Sequence, residues 1–408
     1  MDRVYNIVMD RMNSSESIVA YTAVSAGVLS CYVGLKVYRR HQPTAQAARR
    51  RKIQSLTLTQ LTQQLRDRQL SAVQVLQAFQ EKGMVTTMGV TKYLGTSSGE
   101  DAVIVQVLRK QGAVPFVKTN VPQGLVNNPV FGTTVNPLDP TRSPGGSSGG
   151  EAALIRAGGS VLGFGTDGAG SVRGPAHFCG ICGFKPTGLR ISGRGLSKTY
   201  PGLPGVISSP GLLARDVDSL ALGLKALLVP DMFQLDPRVV PIPFQQETYD
   251  HNQPMRIGYF TTLPCCPPTP SMGRAVIMAK EALEKAGHTK YKEQFQNELK
   301  KKDIDVLLCP AFGMPACKPE HAGALAYCSI FNLLDFPAGV VPVTMVTEED
   351  DRLLDDWHGY GNDLMDKIIK ETTRGAVGLP VAVQCVALPW QEEKCLRLMK
   401  EVETLCPV

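Results

Sequence analysis

Two serines sit in neighbouring glycine runs of this 408-residue chain. Ser147 lies in Ser-Pro-Gly-Gly-Ser-Ser-Gly-Gly (143–150), and Ser171 in Gly-Phe-Gly-Thr-Asp-Gly-Ala-Gly-Ser-Val-Arg (163–173). Glycine admits positive φ and lets main-chain N–H groups come close to another molecule. Acyl transfer needs both properties: a serine nucleophile in the open, and converging N–H groups that stabilise a tetrahedral oxyanion. The bland reading is a pair of Gly/Ser loops. Two runs that bracket a short apolar stretch, with Asp167 and Arg173 beside the second serine, are less generic than a linker.

Competing chemistries fit less well. Gly163-Phe-Gly165-Thr-Asp-Gly168 has the form of a dinucleotide fingerprint. Asp167 would set negative charge near a pyrophosphate, and the acidic residue expected about 20 positions on is missing, the stretch 185–190 being basic. No Gly-Lys-Ser/Thr closes either run, which excludes a P-loop. His177 could act as a base, but a core or surface histidine is the favoured reading. Cys179-Gly-Ile-Cys182 has no second CxxC or paired histidines to complete a zinc site, so it reads as structural. Cys265-Cys266 is equally bland. The 11 cysteines show no framework spacing, and a cytosolic body would keep them reduced.

Elements must position these serines. Helical periodicity runs over 56–79, and helices are expected over 101–111, 151–157, 216–228, 271–286 and 391–405. Strands are expected at 113–117 (short and buried), 161–164, 256–259, 304–309, 339–346 and 377–386, the last broken by Pro380. Strands alternating with helices argue for an α/β fold. The hydrophobic fraction of 43% supports a sizeable core.

The net charge of +6 gathers largely in Lys36, Arg39, Arg40, Arg49, Arg50, Arg51 and Lys52. A cluster at one end is not the basic stripe of a nucleic-acid surface, so no nucleic acid is expected as partner. Ile18 to Leu35 carries no charge and falls within the roughly 17–25 residues a single span needs. In a cleaved signal peptide the basic residues would come first; here they follow, which favours an anchor with the body in the cytosol. The expected organisation is an N-terminal segment 1–17, a transmembrane anchor 18–38, a basic linker 39–55 and a domain 56–408.

The serine segments resemble the signature of the amidase signature family of serine hydrolases. The matching residues are Gly145 to Gly150, Asp167, Gly170, Ser171, Arg173 and Pro175, then Gly183, Lys185, Pro186 and Thr187. Stretches 114–123, 128–132, 178–187, 214–222, 334–343 and 377–393 are similar to the membrane-bound members that cleave fatty-acid amides. The resemblance spans most of the chain from residue 56 onward.

That resemblance implies the amidase signature fold, a central mixed sheet flanked by helices, behind an N-terminal transmembrane helix. It implies hydrolysis of fatty-acid amides to fatty acid and amine, with no cofactor and no metal. Ser171 matches the nucleophile. Ser147 matches a relay serine held by a cis peptide after Gly146, with Ser148 a weaker candidate. The N–H groups of Gly168, Ala169, Gly170 and Ser171 match the oxyanion hole, and Leu125 matches a position lining the substrate site. The implied partners are a lipid amide and a membrane, with room for a homodimer. The implied residence is an endomembrane, the endoplasmic reticulum first, with the catalytic domain facing the cytosol.

The chain departs from the family at its third catalytic group, a lysine that ends an earlier strand in a Gly-x-Pro-x-x-x-Lys context. Here the helix ending near Phe79 runs into Lys82-Gly83, which match residues just past that lysine. Lys118, in Gly112-Ala-Val-Pro-Phe-Val-Lys118, mimics the context but matches the next strand, where a lysine is not catalytic. His288-Thr289 passes straight to Lys290-Tyr291 where the family carries a long insert with membrane-dipping helices. Ala169 replaces a glycine, and positive φ there would strain it. Reduced turnover is therefore expected. The alternative is a catalytically inactive lipid-amide-binding protein.

Overall fold

A computed structural model describes residues 56–57, 59–60, 63, 87, 89–94, 100–124, 127–196, 206–292, 304–319, 325–361 and 363–408. All belong to the unit Leu56–Val408. The expected anchor 18–38, most of the helix expected over 56–79, Lys82 and Leu125 lie outside the described residues. Among the described residues, no helix is long and apolar enough to cross a membrane.

Eight strands form one sheet: β1 (Leu162–Asp167), β2 (Cys182–Lys185), β3 (Ser209–Ala214), β4 (Arg256–Tyr259), β5 (Thr289–Lys292), β6 (Val306–Pro310), β7 (Ala338–Met345) and β8 (Pro380–Ala387). Their order is β1-β3-β2-β7-β8-β6-β4-β5. Neighbours are antiparallel from β1 to β6 and parallel from β6 through β4 to β5, so the sheet is mixed. β3, β6 and β8 are buried along their whole length, as strands covered on both faces should be. Three of the strand prolines sit where a missing N–H costs least: Pro380 opens β8, Pro310 closes β6, and Pro342 borders a bulge in β7.

Seven helices matter to the site: α1 (Val103–Lys110), α2 (Gly149–Arg156), α3 (Arg173–Cys179), α4 (Val217–Leu227), α5 (Pro270–Lys285), α6 (Ala326–Leu333) and α7 (Glu392–Leu405). A Cβ on Gly183 of β2 would meet Ala176 of α3, and one on Gly339 of β7 would meet Met399 of α7. Gly183 pairs with Val340 and Gly339 with Phe184, so the two glycines face opposite sides of the sheet. Helices therefore cover both faces. α5 and α7 also pack against β6, β7 and β8, with α3 packing on β7 and β8.

One expected strand is overturned. Residues 113–117 pair with no strand, and Val114 is 61% and Val117 40% exposed. A strand persists only where a neighbouring strand pairs its N–H and C=O groups, and no described strand pairs with this segment. Three strands and two helices are added to the expected set close to the site or the sheet edge: β2, β3, β5, α3 and α6. β2 (Cys-Gly-Phe-Lys) and β3 (Ser-Pro-Gly-Leu-Leu-Ala) are short and glycine- or proline-bearing, so their local signal is weak.

Candidate active site

The two serine runs are brought together by what their glycines lack. α2 starts at Gly149, directly after Ser147 and Ser148. Its first turn lies against β1, where a Cβ on Gly163 would stand 2.1 Å from Glu151 Oε1 and one on Gly165 2.1 Å from Ser148 Oγ. The Gly-x-Gly of β1 is thus the landing for this helix, which removes the dinucleotide reading. The Ser148 N–H donates to the Ser171 carbonyl at 3.1 Å. The Gly146–Ser147 peptide is cis. Ser147, Ser148 and Ser171 are each partly exposed, so none is sealed in the interior.

The turn after β1 is held from within by Asp167. Its carboxylate accepts the N–H groups of Gly170 (2.7 Å), Val172 (3.1 Å) and Arg173 (3.3 Å). It also accepts Arg173 Nε at 3.0 Å and Nη2 at 2.9 Å. Gly170 adopts φ 109° and packs so closely on Cys328 that a Cβ would lie 2.5 Å from the cysteine's own. No other residue type fits there. Ala169 is not among the positive-φ residues, so the expected strain is absent and the left-handed step falls on Gly170. The Gly170 amide is taken by Asp167. The N–H groups of Gly168, Ala169 and Ser171 make no hydrogen bond among the described residues.

The charge under this turn is fully matched. Burial opposes ionisation of Asp167, but the Arg173 guanidinium, the Lys185 ammonium and the Asn332 amide outweigh it and hold the carboxyl far below the usual range. Arg173 is wholly buried and also donates to the Cys328 carbonyl (3.0 Å), Gln384 Oε1 (2.7 Å) and Asn332 Oδ1 (2.6 Å). A buried ion pair is tolerable only with its remaining donors satisfied, as here.

Of the other residues singled out by sequence, most are structural. His177 is fully buried in α3: its Nε2–H donates to the Met314 carbonyl (3.1 Å) and its Nδ1 accepts the Ala382 N–H (3.1 Å). Both ring nitrogens are occupied, and burial pushes its pKa down to about 4. Cys179 and Cys182 are free and buried. Lys118 is exposed. Lys185 is fully buried with Nζ donating to the Pro186 carbonyl at 2.9 Å; burial brings its pKa down to about 8, but it is closed off from solvent.

Sequence reasoning missed Glu151 and Asn332. Glu151 sits at the third position of α2 in a Ser-x-x-Glu pattern, the sequence sign of a capping box, yet α2 has no side-chain cap. Instead its carboxyl turns to β1 and accepts the Thr119 hydroxyl at 2.8 Å. Burial pushes it up to about 7. Asn332 lies 165 positions from Asp167 and had no local signal at all.

Comparison with known proteins identifies the family. The family model described as Amidase matches residues 77–297 and 288–396. Its two pieces meet where His288-Thr289 passes to Lys290. A protein of Sus scrofa named fatty-acid amide hydrolase 1 is 41% identical over 434 residues, covering 82% of this chain and 75% of that protein. That alignment spans more positions than this chain has residues, so the relative carries internal stretches that are absent here. The vitamin D3 hydroxylase-associated protein of Gallus gallus is 55% identical over 212 residues, 51% of this chain and 46% of that protein. A solved structure titled fatty acid amide hydrolase superposes with a TM-score of 0.78 at 20% identity, over 92% of this chain and 89% of that one, and shows the shared fold. From the matched model, the sequence relatives and the serine-bearing turns together, the chain belongs to the amidase signature family of amide C–N hydrolases.

Proposed function

We propose that this chain is a serine hydrolase acting on fatty-acid amides, with Ser171 as nucleophile and Ser147 as proton relay. The observation that carries the reading is the turn 167–171. It leaves Ser171 partly exposed, fixes the chain through Asp167, and keeps three N–H groups available beside the serine. The substrate class rests on the 41% identity to a protein named for that activity. Ser171 Oγ attacks the amide carbonyl, forming a C–O bond while the π pair moves to the oxygen held by the N–H groups of Gly168, Ala169 and Ser171. Collapse breaks the C–N bond, and the amine leaves with the proton passed through Ser147. Water then cleaves the acyl ester, releasing fatty acid and regenerating Ser171.

The family's lysine has no counterpart, and Lys185 is too enclosed to replace it, so turnover is slow. Loss of one triad member can still leave roughly 10³–10⁴-fold catalysis over water. A charge-free stretch followed by basic residues supports an anchor at 18–38 with the domain in the cytosol, and the family resemblance alone suggests the endoplasmic reticulum. Carbonate-resistant membrane pelleting that is lost on deletion of 1–38 tests it.

The absent lysine favours one second reading, a lipid-amide-binding protein without catalysis. Labelling with a fluorophosphonate separates them. Labelling of Ser171 that Ser171→Ala abolishes, together with slow release of oleic acid from oleamide, supports the hydrolase. No labelling with retained oleamide binding supports the carrier.

A further inference from the structure

We infer that Asn332 is a positioning residue for acyl transfer: from α6 it fixes the peptide plane that aims the Gly168 N–H. The inference rests on the reading of 168–171 as the oxyanion turn and names the group that orients it.

Three peptide planes in and beside this turn are anchored by hydrogen bonds. A trans peptide is planar, with its C=O and N–H pointing in opposite directions, so a bond to one fixes the other. The Ser171 carbonyl accepts Ser148, while the N–H of the same peptide, from Val172, goes to Asp167. The Ala169 carbonyl lies 3.5 Å from the Ser329 hydroxyl, whose one proton goes to the Leu325 carbonyl at 2.9 Å, while the N–H of that peptide, from Gly170, goes to Asp167. The Asp167 carbonyl belongs to the peptide that carries the Gly168 N–H. Asn332 Nδ2 donates to it at 2.9 Å. Of these three planes, this one has its N–H left for a ligand, and Asn332 holds its other end.

The orientation of the Asn332 amide is forced. Its Oδ1 accepts Arg173 Nη2 at 2.6 Å, and a guanidinium can only donate. Nδ2 must therefore face Asp167, where it reaches both the carbonyl and Oδ1 (3.0 Å). Asn332 is 3% exposed, and α6 presents Cys328 and Ser329 to the same turn. A donor on the carbonyl also polarises the peptide, which strengthens its N–H as a donor. Asn332 touches no reacting atom and acts through the Asp167–Gly168 peptide.

The test compares wild type, Asn332→Ala and the near-isosteric Asn332→Asp in the full chain. Two readouts are taken on folded protein: saturation kinetics of fluorophosphonate labelling at Ser171, and amide exchange of peptides spanning 165–173. Removing one oxyanion donor costs about 10²–10³-fold, so a donor left unaimed is expected to lower the maximal labelling rate roughly 10- to 100-fold, with the half-saturating probe concentration unchanged. Exchange at 167–170 is expected to quicken. For Asn332→Asp, the charged groups bonded to this side chain are Asp167 and Arg173, and Lys185 acts on Asp167 through its charge. Its labelling rate relative to wild type is expected to recover as pH falls and the carboxyl regains a proton to donate. A maximal rate within twofold of wild type in either folded variant overturns the inference, and if Asn332→Ala does not fold, Asn332→Asp decides. Wild type that fails to label while Asn332→Ala still quickens exchange at 167–170 would sink the hydrolase reading and leave the positioning intact. Unchanged exchange in Asn332→Ala would sink the positioning alone if wild type labels, and both readings if it does not.

Discussion

The main-chain amide of Ser148 donates to the main-chain carbonyl of Ser171 at 3.1 Å, which makes the two glycine runs one structure. The segments 147–148 and 170–172 cannot shift independently. Their registration depends on α2 lying flat on β1, and hence on two missing side chains in that strand.

Gly165→Ala places a methyl 2.1 Å from Ser148 Oγ and 2.8 Å from its Cβ. The first turn of α2 must lift. Overpacking of this kind costs about 1–3 kcal/mol. A displacement of about 1 Å at a reacting group can cost 10²-fold, so labelling of Ser171 should slow by that order. Gly193→Ala, whose Cβ meets nothing within 4 Å, serves as the neutral control. Denaturant unfolding and labelling kinetics check both.

Asp167→Asn leaves the buried Arg173 guanidinium without its counter-charge. Breaking such a pair costs about 3–5 kcal/mol, visible as a lower denaturant midpoint at neutral pH. The carboxyl is held below its unfolded value of 3.8. Its contribution is therefore present above that pH and lost as pH falls further, because the unfolded chain then binds the extra proton. Acid unfolding of Asp167→Asn should lack this component. A variant as stable as wild type at pH 7 would refute the assignment.

Glu151 behaves in the opposite sense. Its carboxyl keeps a proton up to about 7 in the folded protein and loses it near 4.5 when unfolded. Between those values the folded state binds more protons, so stability falls as pH rises. Glu151→Gln should flatten this slope and match or exceed wild type at pH 8. Melting temperature against pH, measured for both proteins, decides it.

His177→Phe should leave Ser171 labelling unchanged, since the ring faces Met314 and Ala382 and not the serines. It strands a buried carbonyl and a buried N–H, at about 1–3 kcal/mol each. Burial holds the histidine at about 4 against 6.5 when unfolded, so wild type loses stability as pH drops through that interval. The variant should not show this loss. A labelling rate that fell with the stability unchanged would make His177 catalytic after all.

Much of the frame was legible because its signals are local. β4 falls on the expected residues 256–259, and α5 and α7 lie within a residue of their expected ends. The expected strand at 161–164 extends to Asp167, since glycines and a threonine there hide the ladder that β3 supplies. Residues 113–117 look like a strand and are not one, because pairing belongs to the neighbour as much as to the segment.

By itself, the order of residues determined that two serines stand in glycine-rich turns and that short strands alternate with helices. These follow from side-chain size, spacing and backbone freedom within a few residues. Only the tertiary structure decided what surrounds them: Glu151 turned to β1, His177 closed into the core, and Asn332 brought to Asp167 across 165 positions. The physical reason is that burial, hydrogen-bond pairing and shifted ionisation depend on atoms the chain folds together, which spacing along one strand or helix does not encode.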